Sequence, residues 1–426
     1  MARIHPRPRL TNRWEIVISS ARRQVSLTLR DPRRRLVAAM VAIALTGIMI
    51  PVGWSYGQAL TGPGNDSLAI RSTEWLKDHH LAWAVNDVER WWYTHHPPKK
   101  GGKPTGALGN ILQTGPAPSP PPVSPLVPSP TLPPASAPAP LVSPPSPLPH
   151  RPAPPSIPSI AANPLRGEGQ WRPLGETADS VPAMYAAFLR PDPVHTSLVA
   201  AVAWIDPTLV RFTGYAGVLE PGGGPWTNQA PIPENLRPQL LAAFNSGFKM
   251  RDARGGYYAD GRTARPLVAG AATLVIDPNG VPNIGVWGRD VAMNPTIAFA
   301  RQNLELIVDG GQPAADLNTN TRVWGASLGN AVYVWRSGLG ITADGAMLYA
   351  AGDGLSAATL ADVLMRAGAV RAMELDINSA WVDFFSYAHQ PDGSITVNKL
   401  LPDMHPSITN YLTASSRDFI ALFSRV

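Results

Sequence analysis

The chain predicts an α+β fold: a mixed, strand-rich sheet with a few helices, preceded by one transmembrane helix and a Pro-rich linker. Three observations carry this expectation. Short apolar runs bounded by Gly, Pro, Asn and Asp recur between Ser197 and Leu400, the spacing of strands joined by turns. Only two stretches of that region, about Glu234–Leu240 and Ala357–Ala367, read as helices. Ahead of it lie an uncharged apolar window from Leu36 to Leu60 and a run with 20 prolines between Pro116 and Pro158.

Taken in order, residues 1–35 read as a basic cytoplasmic tail. Ten arginines there face only Glu15 and Asp31, a local charge of +8 in a chain of net +6, which leaves the remainder at −2. The basicity is therefore confined to one end and argues against a nucleic-acid-binding domain. Residues 36–60 exceed the roughly 20 apolar residues a helix needs to cross a bilayer. Trp54 and Tyr56 lie where an interfacial aromatic belt belongs. The arginine flank predicts a single-pass signal-anchor in the cell membrane, with the C-terminal domain extracytoplasmic. A cleaved signal peptide is the competing reading, but its basic region would be long and Tyr56-Gly-Gln-Ala-Leu60 is a poor cleavage site.

Residues 65–97 predict an amphipathic Trp-rich helix that packs on the membrane surface, on a second copy or on the domain. The pairs His79-His80 and His95-His96 offer one imidazole per helix face, which reads as surface and not as a metal site. Residues 98–165 read as a disordered Pro-rich linker, because proline removes backbone donors and favours polyproline II. At about 3.1 Å per residue its proline run spans roughly 130 Å, enough to carry a domain into a cell wall. Residues 166–426 are long enough for one sizeable core.

Cysteine is absent, which excludes disulfides, thiol nucleophiles and thiolate metal sites. No P-loop, His-Glu-x-x-His or Gly-x-Ser-x-Gly pattern occurs. The chemistry therefore has to come from other groups. Arg336–Gly345 and Ala346–Ala351 read as a hairpin around Asp344-Gly345. A helix capped by Gly368 and a strand Val370–Leu375 follow, and that strand delivers Glu374 and Asp376. Positions i and i+2 of a strand share a face roughly 6.5–7 Å apart. Carboxylates so held can divide acid and base roles, as in glycosidic cleavage, or bind amides, an arginine or a cation. Asn245, Gly247 and Lys249 follow an apolar strand and expose amide donors at a turn. The Arg336 fork suits a phosphate, and Asp309-Gly310-Gly311 adds a turn with one more carboxylate.

Asn245-Ser-Gly-Phe248, Gly256-Tyr-Tyr258, Arg336-Ser-Gly-Leu-Gly-Ile-Thr-Ala-Asp-Gly345 and Ala372-Met-Glu-Leu-Asp376 stand in the order and rough spacing of one family. The chain from about residue 195 to 426 resembles the phosphodiester glycosidase domain, found in the lysosomal-pathway uncovering enzyme and in bacterial proteins linked to exopolysaccharide metabolism. The resemblance implies hydrolysis of a sugar-1-phosphodiester, with Asp376, Glu374 and Arg336 catalytic. Asn245, Lys249, Asn378, Ser379 and Asp309 would bind the glycan or sugar-phosphate substrate. No cofactor is required by the reading, although Asp376, Asn378 and Asp309 would suit a divalent cation. One departure stands out: the family's glycine-rich turn after Leu-Asp is Ile377-Asn378-Ser379-Ala380 here, which fills space that glycine leaves open. That turn separates two functional readings, an envelope hydrolase and a catalytically inactive glycan-binding or scaffold protein on the same fold.

Overall fold

The computed structural model describes residues 32–113, 150–178, 181–317, 323–324 and 332–425. The basic tail through Asp31 and the proline run 114–149 lie outside the described residues. The chain divides into two units, Met1–Gly62 and Pro63–Val426.

In the first unit a helix runs from Pro32 to Thr61. Its stretch Arg35–Thr61 is long and apolar enough to cross a membrane, a property that signal sequences share. Its large apolar side chains, among them Ile43, Ile48 and Trp54, are exposed.

The second unit is α+β. Its helices are few, and every strand ladder among the described residues is antiparallel. An eight-stranded sheet has the order Arg172–Pro173, Met184–Leu189, Ala200–Ile205, Met347–Leu355, Val334–Thr342, Ala369–Glu374, Leu306–Asp309, Gln312–Pro313. A five-stranded sheet orders Ile395–Lys399, Phe384–His389, Leu240–Asn245, Phe419–Ser424 and Val210–Tyr215. A second five-stranded sheet is built from residues 257–302.

The expected hairpin is present, with Ile341 opposite Met347 and Gly345 at φ +86° closing its turn. A helix follows at Ala357–Arg366, where Ser356 and Thr359 form a reciprocal capping box. Its Leu360, Val363 and Leu364 are buried on the large sheet. Gly368 stands at φ +105°, and the chain returns as Ala369–Glu374 between Val334–Thr342 and Leu306–Asp309. Three rings fasten the two sheets that carry the candidate site. Phe244 stacks on Phe384 at 5.7 Å, and each lies 5.1 Å from Tyr349. Such pairs each contribute about 0.5–1.5 kcal/mol beyond area burial.

The N-terminal half of this unit differs from the expected arrangement. The Trp-rich segment is two helices, Leu68–Leu76 and Ala82–His95, broken where His79 leaves helical geometry and His80 takes φ +62°. Residues 106–113 are helical, and Leu112 is fully buried in the main core. Ile157 is buried too, and its amide bonds Gly169. The described residues Leu112 and Ile157 thus pack on the domain, because each brings a large apolar side chain to bury. Strands at Met184–Leu189 and Phe419–Ser424 were not foreseen. The first, with Tyr185 and Phe188 among Met184, Leu189 and two alanines, shows no apolar–polar alternation, and the second follows Ser415-Ser-Arg-Asp418 with no Gly or Pro to mark its start.

Candidate active site

Strand Leu240–Asn245 ends beside the start of Phe419–Ser424, with Asn245 opposite Phe419. The end of Ala369–Glu374, from the other sheet, meets them. Asn303 joins the two motifs. Its Oδ1 accepts the Phe248 amide at 3.1 Å, and its Nδ2 donates to the Glu374 and Leu375 carbonyls at 2.5 and 2.9 Å.

The Asn245–Phe248 turn is tied from every side. Asp383 Oδ1 accepts the Asn245 amide at 3.0 Å, and Asn245 Oδ1 accepts the Gly247 amide at 2.7 Å. Ser246 donates to Asp418, which also pairs with Arg301 at 2.7 Å, all fully buried. Gly247 stands at φ +153°, and a Cβ there would meet Asn303 Oδ1 at 3.0 Å. Asn245 Nδ2 is left buried with no hydrogen-bond partner.

Asp376 lies past its strand, 2% exposed. Its Oδ1 accepts the Ile377 and Asn378 amides at 2.8 and 3.0 Å, so the carboxylate organises its own turn. Its Oδ2 receives Arg417 Nη2 at 3.3 Å. Arg417 also donates to the Gly247 carbonyl at 2.9 Å and lies over the Trp381 ring at 4.6 Å, while its Nε is buried and unpartnered. Burial pushes the Asp376 carboxyl up to about 6, against the pull of Arg417 and the two amides. The departing residue Ile377 is buried with Phe248, Ala253, Leu304 and Val334. Its bulk thus fills a small satellite core.

Around Asp376 is a cavity of about 60 Å³, walled by Lys249, Arg251, Asp252, Asn378, Trp381 and Arg417, and by Glu74 and Lys77 from the Trp-rich segment. A larger cavity of about 750 Å³ at Asp192, His195, Tyr333 and Ser356 shares no wall with it.

Of the residues singled out in the sequence, Asp376, Asn378 and Lys249 line the small cavity, and Asn245 holds the adjoining turn. The others are placed elsewhere. Arg336 is buried and pairs with Glu374, and its remaining donors go to the carbonyls of Leu355, Trp324 and Val332 at 2.9, 2.9 and 3.3 Å. Four of its five N–H donors are thus engaged by the protein, and the guanidinium stands apart from the Asp376 cavity. Glu374 has no exposure, and burial raises its pKa despite Arg336. The two carboxylates leave the strand toward different arginines, because Asp376 stands two residues beyond the ladder and inside a turn. Asp309 is exposed and paired with Arg289 at 2.7 Å. Ser379 is half-buried and not among the cavity walls. The cation reading fits poorly, since Arg417 already faces Asp376 and no group of three His, Cys, Asp or Glu that could hold a metal occurs among the described residues. Arg417, Arg251, Asp252, Trp381 and Glu74 were missed. The one signal for Arg417 was Ser-Ser-Arg-Asp abutting a terminal apolar run.

The cavity thus brings one carboxylate with an elevated pKa beside three cationic side chains, Arg417, Lys249 and Arg251. Residues 239–376 match the family described as phosphodiester glycosidase, which bears out the resemblance of the sequence motifs and supports a glycosidase acting on phosphodiester-linked sugars. Among solved structures, the chain is similar to the zebrafish N-acetylglucosamine-1-phosphodiester alpha-N-acetylglucosaminidase catalytic domain auto-inhibited by its pro-peptide. The identity is 14%, over 60% of this chain and 88% of that one, with a TM-score of 0.39. A Synechocystis protein is 11% identical over 54% and 59% of the two chains, and an exported protein of Burkholderia pseudomallei K96243 is 14% identical over 55% and 75%, each with a TM-score of 0.30. No curated protein sequence matches.

Proposed function

We propose that this protein is a membrane-anchored cell-envelope hydrolase that cleaves sugar-1-phosphodiester linkages in envelope or exopolysaccharide glycans. The observation that carries the reading is Asp376, with its raised pKa, facing Arg417 and Lys249 across one cavity within a phosphodiester glycosidase match. The anchor rests on the exposed apolar helix Pro32–Thr61 and the arginines before it. No disulfide is available to the domain, so it must rest on its large core.

The ionised Asp376 carboxylate takes a proton from the water that attacks the anomeric carbon. The bond from that carbon to the bridging oxygen breaks, and the oxygen keeps the electron pair. The products are the free sugar and a phosphomonoester. A phosphomonoester is a stable anion with its second pKa near 6, so it leaves without a proton donor, while Arg417, Lys249 and Arg251 balance its growing charge. Asn245 Nδ2 and Asn378 supply donors for sugar hydroxyls or phosphate oxygens. Arg336 and Glu374 act as one buried pair that holds the strands behind the site.

The test is release of free sugar from a hexose-1-phosphodiester by the full chain in detergent. Release that stops with Asp376→Asn supports the reading. Binding of envelope glycans without release, by a folded protein, returns the site to an inactive glycan-binding scaffold.

A further inference from the structure

The helix Leu68–Leu76 follows the apolar helix by a few residues, yet it forms one wall of the Asp376 cavity. None of its residues is buried, and its hold on the domain is polar. Just ahead of it, Asn65 Nδ2 donates to the Asn410 carbonyl and to Thr413 Oγ1, each at 2.8 Å, and Asp66 accepts Ser416 Oγ at 2.8 Å beside Arg417. One turn further on, Glu74 pairs with Lys249 and lies 3.5 Å from Arg251, while Asp78 pairs with Arg251. The side chains of Glu74 and Lys249 are about four-fifths buried against each other.

Two facts turn these contacts into a mechanism. A cavity of about 60 Å³ holds a couple of waters, whereas sites for ligands of sugar-phosphate size run to several hundred Å³. The cleft is open on one side, and its Leu68–Leu76 wall, which has no fully buried residue, is the one that can move to widen it for a glycan. The cations of the site stand behind that wall. Arg417 keeps an unpartnered buried Nε, Lys249 is paired with Glu74 of the wall, and Arg251 is paired with Glu74 and Asp78 as well as with its neighbour Asp252.

We propose that Lys249 and Arg251 form a phosphate subsite which Glu74 and Asp78 occupy until an anionic substrate displaces them, so that the helix Leu68–Leu76 opens by exchange of ion pairs. The inference rests on the sugar-phosphodiester reading and adds to it the subsite and its gate. A phosphodiester supplies the anion that Lys249 and Arg251 lose when the helix lifts. Asn65 and Asp66 remain bound to 410–416 and keep the helix tethered. A neutral glycan brings no such replacement, so the gate selects for charge before any chemistry occurs.

The experiment uses the full chain in detergent, with inorganic phosphate as probe. Phosphate affinity is read by calorimetry, and opening is read by amide exchange over residues 68–76. Phosphate is expected to speed exchange of that segment. Glu74→Gln, which removes one competitor of half-buried strength, is expected to tighten phosphate about fivefold and to speed exchange without it. Should Glu74→Gln lose the cooperative melt, Asp78→Asn, at an exposed position, is expected to act in the same direction by about twofold. Unchanged or weaker phosphate affinity in a folded variant, or exchange insensitive to phosphate, overturns the proposal. Cleavage of a hexose-1-phosphodiester separates the two readings. If the diester is cleaved while Glu74→Gln leaves phosphate affinity unchanged, the gate fails and the enzyme stands. If the ion-pair exchange is seen without cleavage, the subsite and gate stand and the enzyme fails.

Discussion

Two arginine–carboxylate pairs lie at the same end of the same strand and have opposite characters. Arg336 and Glu374 are enclosed: each guanidinium nitrogen has a partner, three of the partners being carbonyls, and neither residue lines the cavity at Asp376. Arg417 and Asp376 are equally buried but open on one side, with an idle Nε, a stacked Trp381 and a cavity at the carboxylate. The first pair behaves as a clamp, because Arg336 ties Glu374 to three backbone carbonyls around it, although Glu374 Oε2 itself is buried without a partner. The second keeps unmet capacity in a low-dielectric place, where a substrate can meet it. Access to the cavity, more than residue type, separates the two pairs.

This contrast can be broken most forcefully at the clamp. Arg336→Met leaves Glu374 charged, buried and alone, and is expected to lower stability by about 3–5 kcal/mol in denaturant unfolding. Arg336→Met with Glu374→Leu is expected to recover most of that loss, since apolar side chains of similar volume replace buried ion pairs well. A single variant that stays as stable as the parent but loses turnover would make Arg336 a catalytic group after all.

At the open pair the expectation reverses. Asp376→Asn is expected to lower kcat for diester cleavage by about 10²–10⁴ while the melting temperature is kept. Arg417→Gln follows, with a loss of about 10²–10³ in kcat. Because Arg417 pulls the Asp376 pKa down against burial, its removal is also expected to move the acid limb of the kcat/KM profile to higher pH.

The subtlest effect is on stability. Asp376 titrates at about 6 in the fold against an ordinary value of 3.8, and burial raises Asp383 likewise to about 7. Both carboxyls favour the folded state in their protonated form. Their contribution is therefore full below about pH 4 and is lost as pH rises through 6 to 7. Activity runs the other way, rising through pH 6 as Asp376 ionises. Unfolding midpoints from pH 4 to 8 check this, and the slope is expected to flatten in Asp376→Asn.

Much of the frame was legible in the chain. Local signals with short range, such as Asp344-Gly345 and Gly368, marked the hairpin, helix and return strand that carry Asp376. The choice of arginine was not legible. Arg336 stood in a recognisable motif and Arg417 in none, but their roles follow from which carbonyls surround them in space. Asp376 and Glu374 read alike as positions i and i+2, and only the end of the ladder between them sent one into the core and the other into a turn.

The sequence by itself determined the strand-rich α+β class, the membrane-length apolar helix, the absence of thiol chemistry and the motif that holds Asp376. These depend on periodicity and composition within a few residues. Tertiary structure alone decided that Arg417, Lys249 and Glu74 stand at one cavity, since Glu74 and Lys249 are 175 positions apart. Their meeting is set by strand register and by the docking of a helix that has no fully buried residue, neither of which leaves a trace in local pattern.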